Sequence, residues 1–173
     1  MSNLLNIVGE DRKPEVTKAD FAGNMHLVSL GCSKNLVDSE VMLGALQSRG
    51  FKYVNEASNA DLIIVNTCAF LQSAVEEGID TILELAEHKK TGRCRQLLVA
   101  GCMVERYRGD LQKELPEVDR FVSTDEIVNM AKTSETTEEC FDKARRPYFI
   151  YDEAMPRLRS GHHAYVKISE GCD

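Results

Sequence analysis

The sequence predicts an α/β fold: an open, mostly parallel five-stranded sheet with helices on both faces. Three observations carry that expectation. Short apolar runs at 25–30, 61–66 and 95–100 recur along the chain, with amphipathic stretches between most of them. The run at 61–66 is nearly all apolar instead of alternating, as in strands covered on both faces. Most intervening stretches are long enough for the helix of a right-handed crossover.

Taken in order, residues 1–24 are polar, carry Pro14 and show no period, so they read as an N-terminal tail. MHLVSL (25–30) is the first strand, ended by Gly31. The helix that follows has Val41, Met42, Ala45 and Leu46 at helical spacing, Asp38 or Ser39 as N-cap and Gly50 at its C-terminus. FKYV (51–54) is a weaker second strand, and too few residues separate it from the third, DLIIVN (61–66), to hold a full helix. From 72 to 88, Val75, Ile79, Ile82, Leu83 and Leu85 form an apolar face, with acids early and His88-Lys89-Lys90 late, which complements a helix dipole. RQLLVA (95–100) is the fourth strand. A helix at 104–115, interrupted by Gly109 and stopped before Pro116, precedes the fifth strand RFVS (120–123). A short helix capped by Thr124 follows. The domain so defined spans 25–132. Residues 133–163 read as loop and linker, and AYVKIS opens a fresh strand in 164–173, the start of another domain.

The chain has 173 residues, 43% hydrophobic and 28% charged, as in ordinary globular proteins. Its net charge of −7 provides no basic field for a polyanion, so nucleic acid is not expected as this domain's partner. No apolar run is long enough to cross a bilayer, and the opening residues lack the basic start and apolar core of a secretory signal. A cytoplasmic location is therefore expected. In that compartment six cysteines imply metal or catalytic use before disulfides, and none of them forms the CxxC pair of a structural zinc site.

Three of the six have one address. Cys32, Cys68 and Cys102 each follow a core strand: VSLGC, VNTC and VAGC. In open α/β sheets, ligands bind at the carboxyl ends of strands, near the point where strand order reverses. With strand order 2-1-3-4-5 the three bearing strands are neighbours, and at roughly 4.8 Å per strand the outer two lie about 10 Å apart. Three thiolates on such an arc suit a cubic iron–sulfur cluster and leave one iron without a protein ligand. Any one of them, taken alone, reads equally well as a small buried hydrophobe. Gly31 and Gly101, each beside a cysteine, let backbone approach a bulky cofactor. Asn35, Asn66 and Thr67 stand in the same loops, where they serve either turn chemistry or hydrogen bonds to cluster sulfurs. Cys94 starts from the opposite edge of the fourth strand, and Cys140 lies in a polar loop; both read as bystanders.

The stretches VSLGCSKNLVDSEVMLGAL, DLIIVNTCAFLQSAVEEGIDTILELA and LLVAGCMVERY closely resemble the N-terminal domain of the methylthiotransferase family, over roughly residues 25–173. Within it, the chain looks most like the branch acting on protein twelve of the small ribosomal subunit. The tRNA-modifying branch shares Gly31-Cys32, Asn35 and Asp38-Ser39 but typically has Gln-Met where this chain has Ser33-Lys34. The resemblance implies a radical enzyme with two four-iron four-sulfur clusters and S-adenosylmethionine. The auxiliary cluster would sit on Cys32, Cys68 and Cys102. Cys172 matches the first cysteine of the CxxxCxxC motif that holds the second cluster, so 164–173 would begin a radical-SAM barrel, with the barrel and a TRAM module beyond Asp173. The implied reaction places a methylthio group on the β-carbon of an aspartate. One S-adenosylmethionine methylates a sulfur, and another yields the radical that abstracts hydrogen. A flavodoxin or ferredoxin would supply electrons. Two alternatives are a tRNA substrate and a non-enzymatic flavodoxin-like or receiver-like binding module with ordinary buried cysteines. Gly31-Cys32-Ser33-Lys34 supplies neither the phosphate loop nor the acidic cluster that the second alternative wants.

Overall fold

β1 (Asn24–Ser29), β2 (Lys52–Tyr53), β3 (Leu62–Thr67), β4 (Gln96–Gly101) and β5 (Arg120–Val122) form one five-stranded sheet in which every pairing is parallel. The computed structural model describes residues 23–124, 126 and 164–169. Strand order is β2-β1-β3-β4-β5, so chain direction across the sheet reverses between β1 and β3.

Side chains two apart along a strand share a face, and the core divides accordingly. Ile63, Val65, Leu97, Val99 and Phe121 pack with Ile82 and Leu85 of α2 (Gln72–Ala86) and with Met103, Val104 and Leu111 of α4 (Cys102–Glu114). Leu62, Ile64, Leu98, Ala100 and Val122 pack with Met42 and Leu46 of α1 (Ser33–Gln47). Both faces are thus covered, which is why the strand sequences do not alternate. Each large aliphatic side chain buried this way stabilises the fold by about 1.5–3 kcal/mol.

Four expectations about boundaries change. Helix α1 begins at Ser33, not after Asp38 or Ser39. Those two residues lie inside it, buried, with side chains committed to distant partners instead of to a cap. Helix α4 starts at Cys102, and its irregular residue is Tyr107 (φ −126°, ψ 17°) instead of Gly109. Ser123, not Thr124, occupies the cap position of the next helix. Its N–H donates to Glu126 Oε2 at 2.6 Å, the return half of a capping box. Residues 164–169, expected to open a strand, carry no β-structure. A strand exists only through a ladder partner, and among the described residues this segment has none. A four-residue helix α3 (His88–Thr91) and a 3₁₀ turn (Ala57–Asn59) complete the elements. Most of the expected tail and the whole of the linker 133–163, with Cys140 and Cys172, lie outside the described residues.

The end of the sheet away from the cysteines is clamped by Asp61. Its carboxylate accepts the Asn24 N–H at 2.9 Å and pairs with Arg93 at 3.3 Å, and its carbonyl accepts the N–H of Arg95. One residue thereby ties the starts of β1, β3 and β4. The Asn24 hydrogen bond, aided by Arg93, holds its carboxyl below the ordinary value of 3.8.

Candidate functional site

Registers Ser29↔Asn66 and Thr67↔Gly101 bring the carboxyl ends of β1, β3 and β4 level. Cys68 and Cys102 are the residues just past β3 and β4, and Cys32 follows β1 after Leu30-Gly31. All three thiols therefore stand at one edge, and Cys32 and Cys68 flank the β1/β3 reversal where such sheets bind ligands. Cys32 is exposed at the N-cap of α1, Cys102 is half-buried as the first residue of α4, and Cys68 is buried between them.

Asn35 joins the three loops. It is buried, and its Nδ2 donates to Leu30 O (3.0 Å) and Thr67 O (2.9 Å), while its Oδ1 accepts from the Cys102 thiol (3.7 Å). Asn66 Nδ2 donates to Asn35 O (2.8 Å) and to Ser39 Oγ (2.9 Å), whose own hydroxyl donates to Ser29 (2.9 Å). Thr67 Oγ1 donates to Ala100 O at 2.6 Å. All the side-chain donors of Asn35, Asn66 and Thr67 are thus engaged within the protein. Of the two roles open to these side chains, turn chemistry or hydrogen bonds to cluster sulfurs, their donors here serve to hold loop to loop. Asn66 Oδ1 is buried without a hydrogen-bond partner, beside the position a Cβ on Gly101 would take.

The flanking glycines have a tighter reason than cofactor approach. Gly31 (φ +89°) and Gly101 (φ +97°) occupy the left-handed region that glycine enters without strain. A Cβ at Gly31 would fall 2.5 Å from the Cys68 Cβ. One at Gly101 would fall 2.3 Å from Asn66 Oδ1 and 2.5 Å from Thr67 O. Cys68 is seated directly on the Cys32 loop, and the Cys102 loop directly on the end of β3. Arg106, which the sequence did not single out, donates to Ala69 O at 3.1 Å and so ties α4 to the Cys68 loop.

Among the described residues no three His, Cys, Asp or Glu side chains converge tightly enough for a single metal ion. A cubane cluster makes a different demand, because each thiolate binds a separate iron and the donors spread over the faces of a bulky group. Three thiols on adjacent strand ends, two of them solvent-accessible, fit that demand. Cys94 does not share it. It precedes β4, whose six residues alone put about 20 Å between it and Cys102, its thiol donates to Gln96 O, and burial pushes its pKa up.

The fold and this edge define a doubly wound α/β domain with a thiol-lined switch point. Residues 24–123 match the model of Uncharacterized protein family UPF0004, and the chain belongs to that family. It is 47% identical over 163 residues to the ribosomal protein uS12 methylthiotransferase RimO of Heliobacterium modesticaldum, covering 91% of this chain and 35% of that protein. It is 50% identical over 151 residues to the protein of the same name from Geotalea uraniireducens, covering 84% and 34%. With the Solibacter usitatus protein of that name the identity is 47% over 148 residues. The chain spans about a third of the length of these curated relatives. No helix among the described residues is long and apolar enough to cross a membrane.

Proposed function

We propose that this chain is the cluster-bearing N-terminal part of a methylthiotransferase that modifies an aspartate β-carbon of ribosomal protein uS12 in the cytoplasm. The observation that carries the proposal is the placement of Cys32, Cys68 and Cys102 on three neighbouring strand ends at the switch point. The names of the relatives supply methylthio transfer and the protein uS12, and the aspartate β-carbon is what the family resemblance implies.

In this reading Cys32, Cys68 and Cys102 hold the auxiliary four-iron four-sulfur cluster in domain 25–132, and Cys172 opens the ligand set of a second cluster in the domain begun by 164–173. Together with S-adenosylmethionine, the clusters supply the sulfur transfer and radical chemistry. The rest falls to the protein. Asn35 and Asn66 fix the spacing of the thiol loops, and Gly31 and Gly101 let them close on one another. Exposed Cys32 and half-buried Cys102 leave one side of the site open to substrate. Electrons come from a flavodoxin or ferredoxin. The chain's net charge of −7 gives it no basic field with which to grip nucleic acid.

Mass spectrometry of ribosomal proteins and tRNA from a strain lacking the gene tests the substrate. The expected result is loss of a methylthio mark, +46 Da on about one residue, from uS12 alone. Loss confined to tRNA would contradict it.

A further inference from the structure

The strongest feature outside the thiol edge is an ion pair that reaches across most of the chain. Lys167 Nζ lies 2.8 Å from Asp38 Oδ1 and 3.1 Å from Oδ2, and the two side chains are only 5% and 3% exposed. Asp38 belongs to α1, whose N-cap is Cys32. Lys167 belongs to the segment 164–169, in which Val166 and Ile168 on either side of it are 79% and 92% exposed. The segment thus turns its one charged side chain inward and its apolar ones outward, the reverse of what solvation alone would select. A buried pair contributes little net stability over an apolar contact, because desolvation offsets attraction; its geometry is what it supplies.

We propose that Asp38 and Lys167 are a positioning pair, which sets the segment leading to Cys172 against the helix that begins at Cys32. The inference rests on the proposed function, in which those cysteines serve two clusters. Asp38 is six residues along α1 from Cys32, a rise of about 9 Å. Lys167 is five residues from Cys172, a reach of at most about 18 Å. The pair is therefore the point at which the separation of the two sites is set. An apolar contact would allow the segment to slide along α1. A carboxylate bonded through both oxygens to one buried ammonium does not.

The test uses the intact protein. In its cluster-free form, Asp38→Asn and Lys167→Met should each accelerate amide hydrogen exchange across 165–168 by about tenfold or more, with β3 unchanged. The reversed pair, Asp38→Lys with Lys167→Asp, should recover most of that protection. If Asp38→Asn also loosens β3, Lys167→Met decides, since it removes no atom from helix or sheet. Wild-type exchange across 165–168 in Lys167→Met overturns the proposal. In the cluster-loaded enzyme both single variants should keep wild-type iron content yet give at least about tenfold less methylthio product per S-adenosylmethionine consumed. An unchanged ratio overturns the positioning role. A wild-type protein without iron or methylthio transfer refutes the proposed function instead, and does so independently of the exchange comparison.

Discussion

Asn35 shows how much a single side chain decides in this domain. Its amide nitrogen bridges the carbonyls of Leu30 and Thr67, and its oxygen accepts from Cys102, so three loops meet on one residue. Asn35→Ala leaves two carbonyls without donors and should destabilise the domain by about 2–4 kcal/mol, read as a shift in the urea midpoint. Asn35→Asp should be at least as damaging despite its equal size, because a carboxylate has no N–H to give and faces two carbonyls. Recovery of wild-type stability in Asn35→Asp would contradict the assignment. The sequence marked Asn35, Asn66 and Thr67 as residues of this site but not their task. All but one of their partners lie 27 to 67 residues away in the chain, and which loops come within hydrogen-bond distance is a property of the closed sheet, not of a local pattern. The same holds for Gly31 and Gly101. Their positions beside cysteines were visible, but the steric reason, a neighbouring loop less than 3 Å from a missing Cβ, emerges only in three dimensions.

At the scale of elements, the strands were the legible part. Apolar runs at 61–66 and 95–100 became β3 and β4 within one residue, because burial on both faces leaves a signal that needs no partner to be read. Helix starts were less legible. Asp38-Ser39 resembles a cap, yet one pairs with Lys167 and the other bridges Ser29 and Asn66, so α1 runs back to the cysteine itself. In the sequence Asp61 is only the start of a strand, whereas in the fold it clamps three of them. Because its carboxyl is held below 3.8, the stability it adds is present above that pH and is lost as pH falls toward the lower folded-state value. Asp61→Asn should cost about 1–2 kcal/mol at pH 7, and the difference from wild type should shrink below about pH 4. Urea midpoints at pH 7 and pH 3 check this, and a difference that grows on acidification would contradict it.

At the scale of the sheet, the strand order is 2-1-3-4-5, the one under which the sequence makes the cysteine strands adjacent, and it converts three cysteines spaced 36 and 34 residues apart into neighbours. That conversion separates them from Cys94, which the same sheet carries to its opposite end. The segment 164–169 is the least legible, because AYVKIS reads as a strand while its lysine pairs with Asp38 of α1, 129 residues away. The central claim is that the switch-point edge holds an iron–sulfur cluster. Anaerobic reconstitution of the chain with iron and sulfide, followed by metal analysis and absorbance spectroscopy, tests it most directly. The expected result is about four irons per chain in wild type and in Cys94→Ser, and near-complete loss in Cys32→Ala, Cys68→Ala and Cys102→Ala. Iron, sulfide and broad absorbance persisting in all three alanine variants, or lost equally in Cys94→Ser, would contradict the claim.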